Sequence, residues 1–163
     1  MKNLLTGGRT PWRGVLLLVA FSLLSWLLLK LPRLIRMNTI NDTGWAVLQL
    51  LVSAGFSYDF AKIIVCQAAH ESDNFSSDVF KKYNNCFGMR TADNSDYEKY
   101  TDLKDCVNGK RGYRAYYLRH SYLSSYNNIL LFVTALKDHR YFTAPLDEYI
   151  KGVTHFYKLY FNG

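Results

Sequence analysis

The first 40 residues of the 163-residue chain contain no acidic side chain, although they hold six of its 20 basic ones. The rest of the chain carries 14 basic residues against all 13 acidic ones and is almost electrically balanced. This distribution argues against the broad basic surface of a nucleic-acid-binding domain, so we predict no nucleic-acid partner. The basic excess instead flanks an apolar run, where it would contact anionic lipid headgroups.

Cysteine is scarce, and its number is odd: Cys66, Cys86 and Cys106. An odd count excludes complete intramolecular pairing. Cys86 and Cys106 flank a segment with strand character and are the candidate disulfide outside the cytoplasm, whereas Cys66 lies in an apolar helical pattern and is expected to be buried. Cys66, His70 and Cys86 offer potential metal ligands, but no fourth ligand is evident, so we predict neither a metal nor another cofactor.

Internal repeats and low-complexity segments are also absent, and 49% of the residues are apolar. Such a composition excludes general disorder and allows a sizeable core. The length suits one compact domain with an appendage.

The appendage is the run GVLLLVAFSLLSWLLLKL over residues 14–31, which has no charge before Lys30. About 18 residues in a helix span roughly 27 Å, enough to cross a hydrocarbon core. No small-residue cleavage site follows, which favours an uncleaved anchor over a signal peptide. We predict a short basic segment over 1–13, a transmembrane anchor in the lipid bilayer over 14–31, a linker over 32–42 and one domain over 43–163.

Helical patterns dominate the predicted domain. The stretch WAVLQLLVSA predicts a first helix that Gly55 ends, and Ser57 is a suitable cap for a second helix from Tyr58 to about Glu71. A third helical pattern covers most of residues 116–132, and a last helix follows Pro145.

The remaining segments look different. Residues 73–84 are polar and irregular, and residues 85–117 have strand and turn character. Asn108-Gly109 is a hairpin signal within that stretch. The sequence therefore predicts a mainly α domain with a small β-hairpin insertion, preceded by one N-terminal transmembrane helix.

Glu71 is the candidate catalytic residue. Phe60, Ile64, Gln67 and Glu71 share one face of the second helix, so Glu71 ends an apolar stripe. Burial and the C-terminal end of the helix dipole both raise a carboxyl pKa, and a protonated carboxyl is what glycosidic cleavage requires. The alternatives are an acid that turns into water and a buried acid with a structural role.

Motifs around Glu71 resemble the bacterial glucosaminidases of glycoside hydrolase family 73. The family's Gln-Ala-Ala-x-Glu-Ser corresponds to residues 67–72, and its Asn-x-Phe-Gly-Ile/Met-Lys/Arg to residues 85–90. Its Phe-Arg-x-Tyr corresponds to residues 113–116. Its Tyr-Ala-Thr-Asp-Pro-x-Tyr segment resembles residues 141–145 with Tyr149 after them. The resemblance covers roughly residues 55–160. The chain departs from the pattern at His70, at Ala144 and at Asp73-Asn74-Phe75, where the family has Gly-Trp-Gly.

The resemblance implies a lysozyme-like helical fold and hydrolysis of the β-1,4 bond after N-acetylglucosamine in peptidoglycan, with Glu71 as general acid. It implies substrate-binding positions at Gln67, Asn85, Phe87, Gly88, Tyr116 and Tyr141. Such a substrate places the domain on the periplasmic or extracytoplasmic side of a bacterial or phage-associated membrane.

A second carboxylate is less well defined. Glu98 is the preferred candidate, because some family members carry a Glu on a mobile β lobe, and Asp93, Asp96 and Asp102 lie nearby in the sequence. Assistance by the substrate's own acetamido group would remove the need for this acid. Two further alternatives are a lytic transglycosylase acting on the same substrate and a non-catalytic module that binds peptidoglycan.

Overall fold

The computed structural model describes residues 40–120 and 126–161. The chain divides into two units, Met1–Asn38 and Thr39–Gly163, and the described residues all belong to the second. The predicted anchor therefore lies outside the described residues. Within the described ranges, no helix is long and apolar enough to span a membrane.

The described residues form seven helices. They are α1 (Asp42–Ser53), α2 (Tyr58–Glu71), α3 (Asp78–Tyr83), α4 (Leu103–Asn108), α5 (Tyr113–Arg119), α6 (Ile129–Asp138) and α7 (Leu146–Phe161). The prediction of a mainly helical domain is confirmed.

The first two helices begin and end where the sequence predicts. The Asn41 side chain caps α1 by accepting from the Gly44 amide at 2.7 Å, and Ser57 caps α2 by accepting from the Phe60 amide. Gly55 adopts a φ of +96° just after α1, a conformation that other residues rarely adopt. The chain therefore turns back at once, which allows α2 to pack against α1.

Helix α2 runs through the core. Its residues from 60 to 69 are buried apart from Lys62, and the helix packs against α1 on one side and α7 on another. Phe60 is 1% exposed and makes an edge-to-face contact with Phe132 of α6, at a ring-centroid distance of 5.3 Å. Removing such a ring typically costs about 3–5 kcal/mol. The core thus fixes α2, and with it the position of the residue at its end.

The hairpin prediction at Asn108-Gly109 is wrong. These residues end α4, which begins at a cap where the Asp102 side chain accepts from the Asp105 amide at 2.8 Å. Asn-Gly suits a helix C-terminus as well as a hairpin turn, and the Asp102 cap favours the helix. Within the described residues, β structure is limited to one antiparallel bridge, between Arg90 and Tyr97.

The stretch predicted as irregular, residues 73–84, contains two ordered features. Ser77 caps the short helix α3 by accepting from the Phe80 amide at 3.3 Å. Before it, Asp73, Asn74 and Phe75 all have positive φ, between 50° and 63°. This left-handed turn replaces the family's Gly-Trp-Gly, and side chains hold it in place.

The side chain of Asn74 stabilises this left-handed turn through two hydrogen bonds. Its Oδ1 accepts a hydrogen bond from Asn41 Nδ2 at 2.9 Å and another from the Tyr160 hydroxyl. Asn41 caps α1 and Tyr160 lies in the last turn of α7. One amide therefore joins the beginning of the first described helix to the end of the last.

Candidate active site

A large cleft, of about 1300 Å³, opens at the C-terminal end of α2. Its other walls come from residues 87–98, from the end of α5 and from residues 139–149. The cleft brings together six of the predicted site residues: Glu71, Phe87, Gly88, Glu98, Tyr116 and Tyr141.

Glu71 is the last residue of α2 and is partly exposed to the cleft. Burial raises the pKa of its carboxyl group above the usual value, and a hydrogen bond from the Tyr149 hydroxyl to Oε1 acts in the opposite direction. Gly88 faces Glu71 Oε2, because a Cβ built on this glycine would lie 3.4 Å from it. Gly88 also has a φ of +62°, which favours glycine.

The rings of Phe142 and His70 hold Tyr149 in place. It is 3% exposed, and its ring stacks on Phe142 at 3.7 Å with an interplanar angle of 9°. The His70 ring packs edge-to-face on Tyr149, with centroids 4.7 Å apart. Gly152 leaves the room for this arrangement, since a Cβ there would lie only 2.3 Å from His70 Cε1. Packing rather than solvent thus fixes the hydroxyl that meets Glu71.

Gln67 and Asn85 do not line the cleft, in contrast to their predicted contact with substrate. Gln67 is fully buried, and its Oε1 accepts from the Tyr113 hydroxyl at 3.1 Å. Its Nε2 has no hydrogen-bond partner among the described residues. Burial raises the pKa of the nearby Tyr149 hydroxyl well above its usual value, and the Gln67 side chain acts in the opposite direction. Gln67 therefore contacts residues beneath the cleft surface and does not itself line the cleft.

Asn85 fastens the wall that follows α3. It is 1% exposed, its Nδ2 donates to the carbonyls of Met89 and Glu98, and its Oδ1 accepts from the Met89 amide at 3.0 Å. A side chain with all these bonds inside the protein shapes the cleft wall rather than binding a ligand.

Phe87 and Tyr141 form the floor. The Phe87 ring stacks on Tyr113 at 4.1 Å, and its carbonyl accepts a hydrogen bond from the Tyr141 hydroxyl at 2.8 Å. Burial, followed by the nearby Glu71 carboxylate, raises the pKa of Tyr141 well above the usual value. Tyr116 continues this surface, with its ring 5.7 Å from that of Tyr141 and 4.2 Å from that of His120.

Of the four candidate second acids, Glu98 alone lines the cleft. It is 7% exposed, and its Oε2 pairs with Arg111 Nη1 at 3.2 Å. Asp93 instead accepts from Thr91 and Ser95 in an exposed turn. Asp96 pairs with Lys99, and Asp102 caps α4.

The three cysteines are buried thiols. Cys86 Sγ and Cys106 Sγ lie 3.4 Å apart, so the pair predicted to form a disulfide is in contact but not bonded. Cys66 is fully buried within α2, as expected. Among the described residues, no group of three or more His, Cys, Asp or Glu side chains is arranged to hold a metal ion.

A family model named glucosaminidase, described as mannosyl-glycoprotein endo-β-N-acetylglucosaminidase, matches residues 57–161. The match covers more than half of the chain and runs from the cap of α2 to the end of α7. The chain belongs to the glucosaminidase family. This glucosaminidase is accordingly a glycoside hydrolase of the endo-β-N-acetylglucosaminidase type. No curated protein sequence and no solved structure gave a match to it.

Sequence reasoning missed some residues that line the glucosaminidase cleft. The sequence predicts the helix that contains Tyr149, but it does not show that the hydroxyl of this residue reaches an acid. Also missed were Arg119, His120, His139 and Arg140, which follow or end two different helices. Only the tertiary fold shows that these four residues line one cleft.

Proposed function

We propose that the chain hydrolyses the β-1,4 bond after N-acetylglucosamine in peptidoglycan, with Glu71 as general acid. The observation that supports this most directly is a partly buried carboxyl group at the rim of a large cleft, with a raised pKa. A carboxyl that keeps its proton near neutral pH is able to donate it to the leaving oxygen.

The size of the cleft favours a polymeric substrate. Its volume of about 1300 Å³ exceeds the roughly 300–1,000 Å³ of pockets for small ligands. Aromatic side chains such as Tyr116 and Tyr141 offer flat apolar surfaces with polar edges, which suit sugar rings.

Glu98 is our candidate for the second carboxylate. It lines the same cleft as Glu71 and is paired with Arg111. In a two-carboxylate mechanism this group would activate water or stabilise the positive charge that develops on the sugar. An acetamido group of the substrate acting in its place would leave the Glu98→Gln variant active.

We also propose that residues 14–31 anchor the protein and that the catalytic domain lies on the extracytoplasmic side. The support is the uncharged apolar sequence and the location of peptidoglycan outside the cytoplasmic membrane.

The test is zymography of the full-length chain in gels that contain purified sacculi. We expect a clear band for the wild type and for Glu148→Gln, an exposed acid on α7 outside the cleft, and no band for Glu71→Gln. Loss of a general acid typically lowers the rate by about 10²–10⁴-fold.

Mass spectrometry of the products separates the remaining alternatives. Reducing N-acetylglucosamine ends support the proposal, whereas anhydro-muramyl ends identify a lytic transglycosylase. Tight binding to sacculi without any cleavage, in both the wild type and Glu71→Gln, would leave a binding module.

A further inference from the structure

Basic side chains line one wall of the cleft. Arg119 and His120 follow one another at the end of α5, and His139 and Arg140 follow α6. We call these four residues the cationic rim, and all four line the same cleft as Glu71. Burial, followed by proximity to Arg119 and His139, lowers the pKa of His120.

The cleft concentrates positive charge that the rest of the domain does not carry. Four arginines and two acids line it, although basic and acidic residues beyond position 40 number 14 and 13. The cleft thus has an excess of two charges even with Glu71 and Glu98 ionised. Basic residues distributed evenly over the surface would not produce an excess of positive charge in one cleft.

Among the described residues, Arg119 and Arg140 of the cationic rim form no ion pair with an acidic side chain. All 13 acidic side chains belong to the described residues, and none forms an ion pair with Arg119 or Arg140. Arg111, by contrast, is paired with Glu98. The two rim guanidinium groups therefore remain available for an anion that enters the cleft.

Arg140 also occupies a backbone position that does not suit it. Its φ is +58°, in the left-handed region that follows many helices and that glycine or asparagine usually fills. Residues with a Cβ atom are unfavourable in this region. Lys137 of α6 donates to the carbonyls of Thr143 and Ala144. A cation therefore already binds the carbonyl groups of the segment that follows α6, and Arg140 is not needed for that purpose.

We propose that the cationic rim binds the carboxylates that muramic acid and its stem peptide place along the glycan strand. This inference rests on the proposed function and specifies its substrate: muramyl glycans are preferred over neutral polymers of N-acetylglucosamine. Arginine suits the role because its planar guanidinium group binds a carboxylate through two parallel hydrogen bonds.

Such carboxylates recur along a peptidoglycan strand but are absent from a polymer of N-acetylglucosamine. Every second sugar of peptidoglycan bears a lactyl group, either free or extended by a peptide with its own carboxylates. A chain of N-acetylglucosamine alone carries no charge. If the cationic rim binds a carboxylate while the glycosidic bond to be cleaved lies at Glu71, it fixes the register of the strand in the cleft.

The experiment measures binding by full-length protein that carries Glu71→Gln, so that no cleavage interferes. The probes are purified sacculi freed of phosphate polymers, and the same sacculi after carbodiimide coupling to methylamine, which converts carboxylates into neutral amides. We compare Glu71→Gln alone with a variant that adds Arg119→Gln and Arg140→Gln. The matched control adds Lys104→Gln and Lys158→Gln, two exposed charges outside the cleft.

We expect the rim variant to bind untreated sacculi about tenfold more weakly and amidated sacculi as well as its parent does. The lysine control should bind both probes like its parent. Equal affinity of the parent for both probes would overturn the proposal, and so would a rim variant that weakens binding to both equally. A preference seen only in sacculi that retain phosphate polymers would overturn it as well.

Failure of this inference is distinguishable from failure of the proposed function. If the wild type releases reducing N-acetylglucosamine ends but the rim substitutions change nothing, the hydrolase stands without this subsite. If no cleavage occurs, the binding comparison still reports on the cationic rim.

Discussion

Tyr149 affects both the orientation and the pKa of the Glu71 carboxyl group. Its buried ring directs the hydroxyl toward the carboxylate, and the hydrogen bond stabilises the charged form of Glu71. The carboxyl therefore has a pKa above the ordinary value because of burial, but below the value that burial alone would give.

Replacing Tyr149 by Phe should shift the pH dependence of the enzyme. Loss of the hydrogen bond removes a factor that lowers the pKa of Glu71, so that pKa rises further. Because a general acid works only while it is protonated, the alkaline limb of the profile of kcat/KM should move to higher pH. The measurement is the rate of sacculus hydrolysis from acidic to alkaline pH.

Tyr58→Phe is the matched control, since Tyr58 is 51% exposed and lies outside the cleft. Its profile should coincide with that of the wild type. An alkaline limb that stays in place or moves to lower pH in Tyr149→Phe would contradict the role assigned to this hydroxyl. Stability should fall by only about 1 kcal/mol, the usual net contribution of one hydrogen bond.

At the scale of elements, the crossing of α2 and α7 determines the site. His70 on α2 fills the space above Gly152 on α7, and the same ring rests against Tyr149. A side chain larger than hydrogen at Gly152 would displace the ring that supports the tyrosine.

Gly152→Ala should destabilise the domain by about 1–2 kcal/mol, because overpacking outweighs the better helix propensity of alanine. In a His70→Ala background the same change should be neutral or stabilising by up to about 1 kcal/mol. Urea denaturation of the four proteins gives the coupling directly. Equal effects of Gly152→Ala in both backgrounds would show that the ring and the glycine are not in competition.

Cys86 and Cys106 join the cleft wall to α4, and we predict that they form a disulfide in an oxidising compartment. The sulfur atoms are in contact at 3.4 Å. Burial raises the pKa of Cys86, which keeps it from ionising, so oxidation by a thiol–disulfide oxidoreductase should occur during folding and be slow afterwards. Closing a loop of about 20 residues typically adds about 3 kcal/mol of stability.

Protein refolded with a glutathione redox buffer should therefore unfold at higher urea concentration than protein refolded in dithiothreitol. Cys66→Ala should retain this difference, since Cys66 is not part of the pair. Cys106→Ser should abolish the difference. Identical midpoints for the wild type under both conditions would rule the bond out.

The elements that could be predicted from sequence are those with local causes. Asn41, Gly55 and Ser57 set the limits of α1 and α2 through caps and a left-handed residue, and no distant contact is needed. At Asn108-Gly109 two local causes compete, and the Asp102 cap decides between them. The left-handed turn at Asp73 depends on distant partners, so it could not be predicted from the local sequence.

The same distinction explains which site residues were found. Glu71 ends an apolar stripe, a pattern visible in the sequence, and its motif completes the prediction. Tyr149 and the cationic rim reach the cleft from segments 48 or more positions away from Glu71, and only tertiary packing brings them there. Asn85 matched its motif but is used for the cleft wall, because a motif does not reveal which way a side chain faces.

For the molecule as a whole, the open question is how it reaches its substrate. Residues 14–31 should hold the full-length chain in the membrane fraction through an alkaline carbonate wash and release it only in detergent. A chain that begins at residue 37 should remain in the supernatant and keep its ability to clear sacculi. Release of the full-length chain by carbonate alone would exclude a membrane-spanning anchor.

The amide of Asn74 connects the start of α1 to the turn that follows Glu71, and this connection has a mechanical consequence. Asn41, whose side chain is bonded to Asn74, lies directly before α1, and Asn74 lies three residues beyond Glu71. A pull along the polypeptide from its amino-terminal side would load this hydrogen bond together with the packing of the buried Ile40. Tension on the chain before α1 should therefore act on the left-handed turn that follows Glu71, where strain would change the position of the carboxyl group.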